Sequence, residues 1–179
     1  MMDALLAANR LPRLAERAMR GAVLGALARG RLTPRALIDD ALLRFERAVG
    51  REAPDGIRPS LLFGERDRIV RELRGFIDGR LAARLAALRR RDVIAAGRDA
   101  SPFDLIVRNR HGRQYAVILR RLPPDGRRLE LLRRMHVAAQ ATARIALHGV
   151  LVYDFSNGVA RLLLDDAGAN GVYRHLRAS

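Results

Sequence analysis

The 179-residue chain contains neither cysteine nor lysine. The absence of cysteine excludes disulfides, thiolate metal sites and cysteine nucleophiles. The absence of lysine excludes Schiff-base catalysis and a lysine-dependent phosphate loop. Arginine is therefore the permanent side-chain cation of this chain, and its planar guanidinium binds phosphates and carboxylates through paired hydrogen bonds.

Aromatic residues and long apolar runs are scarce. Five phenylalanines, three tyrosines and no tryptophan offer little for the stacked-base platforms of single-strand-binding proteins. No apolar run approaches the roughly 18 residues of a membrane-spanning helix. Arg10, Arg13 and Arg17 interrupt the N-terminal apolar segment, so it does not fit a secretion signal. We expect a cytoplasmic protein with no membrane span.

The charge balance is strongly basic. The chain carries 34 basic and 19 acidic residues, which gives a formal net charge of +15. Such an excess favours a polyanionic partner. Nucleic acid is the commonest such partner, and we expect DNA, although an acidic protein surface or an anionic membrane surface fits the same charge. Hydrophobic residues make up 49% of the chain, which is enough for a buried core.

Residues 1–50 are predicted to form a helical N-terminal arm of two helices. Pro12 suits the first position of one helix, and Gly30 can end it. Thr33-Pro34 is a start signal for the second helix, which Gly50 can end.

Both predicted helices of the arm carry an apolar stripe. The second repeats at helical spacing through Ile38, Leu42, Phe45 and Val49. Gly21 and Gly25 form a Gly-x-x-x-Gly pattern on the first, which in a soluble helix favours close helix packing. The arm is thus a candidate contact with a second copy of the chain or with a different protein.

A linker is predicted over residues 51–64, because it concentrates the turn formers Pro54, Asp55, Gly56 and Pro59. Residues 65–179 are predicted to form the main domain. Its pattern reads helix, strand, strand, helix, strand, strand, over residues 65–91, 103–109, 114–121, 127–146, 149–155 and 159–164.

The helix between the second and third strands acts as a crossover, which makes the strands it connects parallel. Hairpin turns at residues 110–113 and 156–158 make the remaining predicted neighbours antiparallel. The expected fold class is α/β, with a mixed β-sheet flanked by helices.

This order of elements, with Asp104 at the start of one hairpin strand and residues 115–120 on the next, resembles the PD-(D/E)XK nuclease superfamily. The resemblance covers residues 65 to about 164 and implies a restriction-endonuclease-like fold. In that family the aspartate and an acid-x-lysine pair on the next strand hold Mg²⁺ and orient the attacking water, as metal-assisted phosphodiester hydrolysis requires.

The chain departs from this pattern where the chemistry is carried. The acid position falls on Ile118 and the lysine position on Arg120. Isoleucine cannot bind Mg²⁺, and arginine rarely transfers a proton. Asp104, Glu72 and Arg120 remain the candidate catalytic residues, and Asp104 the candidate metal ligand. We predict a degenerate site without a cofactor; Mg²⁺ would be required only if nuclease activity survives.

A second candidate surface lies on the predicted crossover helix. Arg133, Gln140 and Arg144 share one helical face, opposite the apolar stripe. Together with Arg120 they are the predicted nucleic-acid contacts. The alternative is an ordinary solvated helix face.

Three functions stay open from the sequence. The first is a non-catalytic nucleic-acid-binding module that contacts phosphates through arginines. The second is a protein-interaction or assembly subunit that uses the helical arm, and the third is an Mg²⁺-dependent nuclease with a migrated acid. The first interpretation predicts that Asp104→Ala leaves folding intact. The linker predicts that residues 65–179 fold without the arm.

Overall fold

The computed structural model describes residues 2–30, 32–52, 57–88, 92–96, 101–122, 131, 134–135, 137–139, 141, 146–164 and 173–175. The chain divides into two compact units, Met1–Ala86 and Ala87–Ser179. The first is called the helical unit and the second the sheet unit. Among the described residues of the whole chain, every helix is too short or too polar to cross a bilayer.

The described residues of the helical unit form four helices. They are α1 (Met2–Ala28), α2 (Pro34–Glu52), α3 (Pro59–Ile77) and α4 (Arg80–Ala86). The predicted start of α2 at Thr33-Pro34 is confirmed, because proline has the helical φ and lacks only an N–H that the first turn would leave unbonded. The predicted end at Gly50 is two residues early.

The prediction that α1 begins at Pro12 is wrong. The helix starts at Met2 and continues through Pro12. Residues 4–8 are alanine and leucine, the strongest helix formers, and they extend the helix ahead of the proline. Gly30 follows α1 with φ 65°, a left-handed conformation that glycine adopts without strain, so its predicted role after the helix is confirmed.

The predicted single helix over residues 65–91 is in fact two. α3 starts earlier, with Pro59 in its first turn. The helix is then interrupted at Asp78 and Gly79, before α4 begins. A Cβ at Gly79 would lie 3.1 Å from the carbonyl oxygen of Phe76, closer than most real Cβ contacts. Glycine therefore permits this tight break between the helices.

The three long helices of this unit pack on one another. The core comes from an apolar stripe of each helix, including Met19, Ala22 and Val23 of α1, Leu37, Ala41 and Phe45 of α2, and Ile69, Leu73 and Phe76 of α3. The stripe predicted for α2 is wrong except at Phe45, because Ile38, Leu42 and Val49 are only half-buried. Arg44 of α2 lies over the predicted glycine pair, with its Nη1 atom 3.2 Å from the place a Cβ of Gly21 would occupy. The pair thus makes room for a neighbouring helix within the same chain.

The described residues of the sheet unit form a six-stranded sheet in the order β1 to β6. The strands are β1 (Val93–Ala96), β2 (Leu105–Arg108), β3 (Gln114–Arg120), β4 (Gly149–Asp154), β5 (Val159–Leu164) and β6 (Tyr173–His175). β3 and β4 run parallel, and every other neighbouring pair runs antiparallel. The predicted α/β class with a mixed sheet is confirmed.

The crossover between β3 and β4 contains a helix, since residues 131, 134–135, 137–139 and 141 are helical. Its Ala139 belongs to a buried cluster on one face of the sheet, whose strand residues are Ile106, Ala116, Ile118, Val150, Val152 and Leu163. These positions alternate along each strand, as expected for residues on one sheet face. Burial of each large apolar side chain stabilises the fold by about 1.5–3 kcal/mol.

The boundary between the two units follows Ala86, later in the sequence than the predicted boundary. The predicted linker over residues 51–64 lies inside the helical unit, and α3 packs with α1 and α2. The physical reason is the apolar stripe of α3, which supplies part of the helical core. A chain beginning at residue 65 would lose both partners of that stripe.

This packing predicts the behaviour of two fragments. A fragment of residues 1–86 should be helical by circular dichroism and unfold cooperatively on heating. A fragment of residues 1–52 should be much less stable, because it lacks Ile69, Leu73 and Phe76, each fully buried and worth about 1.5–3 kcal/mol. Equal stability of the two fragments would show that α3 is not part of the helical core.

Candidate functional site

Three charged residues meet where the start of β2 and the ends of β3 and β4 come together. Asp104 immediately precedes β2, Arg120 ends β3, and Asp154 ends β4. Arg120 and Asp154 are direct partners in the parallel register. We call Asp104, Arg120 and Asp154 the acid–arginine–acid row.

Asp104 is buried, with a side chain that is 0% exposed. Its Oδ2 atom accepts a hydrogen bond from the backbone N–H of Leu119 at 2.6 Å, and its own N–H donates to the carbonyl oxygen of Val117 at 2.8 Å. The carboxylate thus bonds to β3 just before the β2–β3 ladder begins. This geometry assigns Asp104 a structural role in the hairpin.

Arg120 neutralises this carboxylate. Its Nη1 atom lies 2.9 Å from Oδ2 and 3.2 Å from Oδ1 of Asp104, and also donates to the carbonyl oxygen of Leu119 at 2.7 Å. The Arg120 side chain is only 16% exposed. Its predicted phosphate contact would therefore compete with a short, charge-assisted hydrogen bond to a buried carboxylate.

Asp154 was not among the sequence-predicted site residues. It is 2% exposed, and its Oδ1 atom accepts hydrogen bonds from the backbone N–H groups of Leu122 and Ser156, each at 3.0 Å. Its carbonyl oxygen accepts from Gly158 at 2.9 Å. The only signal in the sequence was its position between an apolar strand and the Ser156-Asn157-Gly158 turn, a position also typical of a turn-capping aspartate.

The acid–arginine–acid row does not place two metal-binding acids on adjacent strands. Ile118, which the resemblance put at an acid position, is fully buried in the apolar cluster. The two acids are instead separated by the β3 strand, and next-nearest strands lie about 10 Å apart. Mg²⁺ requires oxygen ligands at about 2.0–2.1 Å, and a cationic guanidinium is bound beside Asp104. Among the described residues, no group of three His, Asp or Glu side chains is placed to hold a metal ion.

The other acid predicted from the sequence lies elsewhere in the chain. Glu72 is in α3, within the helical unit, whereas Asp104 and Arg120 are in the sheet unit. Its Oε1 atom accepts a hydrogen bond from Nε of Arg68, one turn earlier on the same helix, at 3.0 Å. Its side chain is buried, and this i, i+4 ion pair is a local helix contact. The predicted contacts Arg133, Gln140 and Arg144 fall outside the described residues.

A group of arginines that the sequence analysis missed lies at the turn of the β2–β3 hairpin. Arg108, Arg110 and Arg113 are all exposed, and residues 105–122 contain no aspartate or glutamate. We call residues 108–113 the basic hairpin tip. The signal was visible as three arginines within six residues, but the segment was interpreted only as a turn.

The backbone of the basic hairpin tip is held by hydrogen bonds. The Oδ1 atom of Asn109 accepts from the N–H groups of His111 at 2.9 Å and Arg113 at 3.0 Å. Gly112 has φ 77°, a left-handed conformation suited to glycine, and it donates to the Asn109 carbonyl oxygen at 3.0 Å. A fixed turn lowers the conformational entropy that would be lost when the arginines bind an anion.

Comparison with protein-family models, curated proteins and solved structures returned no match. Function is therefore assigned from the residues of the chain and their geometry alone.

The burial of Asp104 and its contacts argue that Asp104→Ala destabilises the fold, in contrast to the expectation from the sequence. The substitution should lower the free energy of unfolding by about 3 kcal/mol, because it leaves the Arg120 charge and the Leu119 N–H without their carboxylate. Urea denaturation measures the change. A loss below about 0.5 kcal/mol would contradict the structural role.

Two variants serve as controls. Asp39→Ala removes a carboxylate from an exposed i, i+4 ion pair with Arg35 and should change stability by no more than about 0.5 kcal/mol. The double variant Asp104→Ala with Arg120→Ala should lose less stability than the sum of the two single variants, since the two side chains are in contact.

Proposed function

We propose that this chain is a non-catalytic nucleic-acid-binding module that contacts phosphates through arginine side chains. The basic hairpin tip is the observation that carries the proposal. It presents Arg108, Arg110 and Arg113 to solvent on a hydrogen-bonded turn, without an acid between residues 105 and 122. Arginine forks bind phosphate oxygens in pairs, and such contacts give affinity with little sequence preference.

The absence of catalysis is argued from the acid–arginine–acid row. Both carboxylates accept hydrogen bonds from backbone N–H groups, and Asp104 is also paired with Arg120. Phosphodiester hydrolysis of the nuclease type needs carboxylate oxygens that can bind Mg²⁺. Within this proposal Arg120 stabilises the hairpin and is not itself a phosphate contact.

A degenerate PD-(D/E)XK-like fold is part of the same proposal. It is supported by the antiparallel β2–β3 hairpin, the helical crossover and the parallel β3–β4 pair, with Asp104 and Arg120 at the positions of the first aspartate and the lysine. Ile118 at the acid position argues for loss of the metal site. The predicted face of Arg133, Gln140 and Arg144 remains a prediction for a second set of phosphate contacts.

A salt titration of binding to random duplex DNA tests the proposal. The variant Arg108→Ala, Arg110→Ala, Arg113→Ala should weaken binding to all sequences about equally. The slope of log affinity against log salt should fall by about one unit for each phosphate that the variant no longer binds. Fluorescence anisotropy at several salt concentrations provides both quantities.

The matched control removes three exposed arginines from other elements, Arg47, Arg71 and Arg74. It makes the same change in net charge. Equal losses of affinity in both triple variants would reduce the effect to overall charge and contradict a specific role for the basic hairpin tip. No binding by the wild type at low salt would contradict nucleic-acid binding altogether.

An assembly role is the second candidate function, favoured by one specific observation. Phe63 is 64% exposed and Leu61 is 40% exposed in the first turns of α3, and exposed large apolar side chains are available for contact with another protein. The apolar stripe of α1, which was part of the basis for this candidate in the sequence, is already buried. An absence of DNA binding combined with concentration-dependent self-association would favour assembly.

The third candidate, an Mg²⁺-dependent nuclease with a migrated acid, would use Asp154 beside Arg120. We expect purified wild type to leave supercoiled plasmid intact in Mg²⁺ or Mn²⁺, because both acids of the row are bound to protein N–H groups. Nicking that disappears in Asp104→Asn and Asp154→Asn would contradict this. Nicking that both variants retain would be traced to a contaminant.

A further inference from the structure

The helical unit contains a cleft lined almost entirely by charged side chains. Its volume is about 660 Å³, which falls in the range of small-molecule sites. The lining includes four arginines of α1 and one of α2: Arg10, Arg13, Arg17, Arg20 and Arg51. We call this the arginine cleft.

The spacing of the α1 arginines explains their convergence. Intervals of three, four and three residues place all four within about 80° of one another around the helix, on one face. The face runs over ten residues, or about 15 Å along the helix axis. Arg51 is in the last turn of α2.

Two glutamates of the lining offset part of this charge. Glu52 forms an ion pair with Arg17, and its backbone carbonyl oxygen accepts a hydrogen bond from Nη1 of Arg10 at 3.1 Å. Glu16 is the other lining acid. The described residues of the lining therefore carry a surplus of three positive charges, and Arg13 and Arg51, both exposed, form no ion pair within the described part of the chain.

The surplus of positive charge lowers the stability of α1 in the ligand-free protein. Like charges three or four residues apart on a helix destabilise it by about 0.2–0.5 kcal/mol per pair, and α1 places Arg10, Arg13, Arg17 and Arg20 at those intervals. An anion in the cleft would relieve this repulsion. Binding and helix stability should therefore be coupled.

We propose that the arginine cleft is a binding site for the phosphate chain of a small polyphosphate ligand. A single phosphate could reach the arginines of only one turn of α1, whereas a chain of two or three phosphates could span more of the row. Among the described residues of the lining, Leu14 is the one apolar residue and none is aromatic. Recognition is therefore through the phosphates and not through a stacked base.

Binding of tripolyphosphate to the full-length protein, measured by calorimetry, is the first test. The wild type should bind tripolyphosphate at least about tenfold more tightly than orthophosphate, because one additional charge-assisted contact is worth about that factor. Adenosine triphosphate should bind about as tightly as tripolyphosphate. An equal affinity for orthophosphate would overturn the proposal, as would no binding of tripolyphosphate.

The variant Arg13→Ala with Arg51→Ala removes two cleft arginines without breaking an observed ion pair. It should weaken tripolyphosphate binding by about tenfold for each of the two guanidinium groups that binds phosphate in the wild type. The charge-matched control Arg47→Ala with Arg71→Ala, on exposed positions outside the lining, should bind as the wild type does. Equal weakening in both variants would overturn the proposal.

Arginine footprinting with phenylglyoxal provides a readout on the wild type that does not depend on a variant folding. Tripolyphosphate should protect Arg13 and Arg51 from modification and leave Arg47 and Arg71 reactive. Protection of all four to the same degree would overturn the site.

The proposal is independent of the basic hairpin tip. The triple hairpin variant should bind tripolyphosphate normally, so failure of the DNA test leaves the cleft test intact. If duplex DNA protected Arg13 and Arg51 while tripolyphosphate did not, the cleft would be a nucleic-acid contact, and a small polyphosphate ligand would be excluded.

Discussion

The ion pair between Asp104 and Arg120 is the contact on which the arrangement of the sheet unit depends. It ties the start of β2 to the end of β3, and the same carboxylate accepts the N–H of Leu119 before the regular ladder begins. Breaking a buried charge pair by removing one partner usually costs about 3–5 kcal/mol. The contact thus fixes the hairpin whose opposite end carries the basic tip.

The proposal that the site is non-catalytic rests on the same contact. A buried carboxylate that is bound to a guanidinium and to a backbone N–H has given up oxygen lone pairs that Mg²⁺ would need. The Oδ1 atom of Asp154 is likewise engaged, by the N–H groups of Leu122 and Ser156. In the proposed account, the strand ends therefore contribute stability, and the exposed arginines contribute binding.

Arginine has three different environments in this chain, although the composition shows only an excess of charge. Arg120 is buried against an acid, the basic hairpin tip is exposed without a nearby acid in sequence, and the arginine cleft shares its lining with two glutamates. Because arginine stays charged in all three, the environment alone determines whether a given side chain stabilises the fold or is available to an anion.

The sequence predicted the sheet better than the helices and the site. Strand period and hairpin turns depend on local residues, so β2 to β5 and the parallel β3–β4 pair could be predicted. β1, at one edge of the sheet, was not predicted, because a strand of four residues shows too little of the strand period. Pro12 was misread as a helix start because the helix propensity of the residues before it outweighs the local start signal. The division between the units depends on which faces pack together, and the pairing of Arg120 with Asp104 depends on distances. Neither can be predicted from the spacing of residues along the sequence.

The side-chain Nε–Hε signals of arginine, followed by NMR while duplex DNA is added to the full-length protein, test the proposed function most directly. The signals of Arg108, Arg110 and Arg113 should shift with DNA and recover with salt, while that of Arg120 stays in place because Asp104 holds it. A shift of Arg120 with no change at the hairpin would contradict this assignment and place the contact at the strand ends.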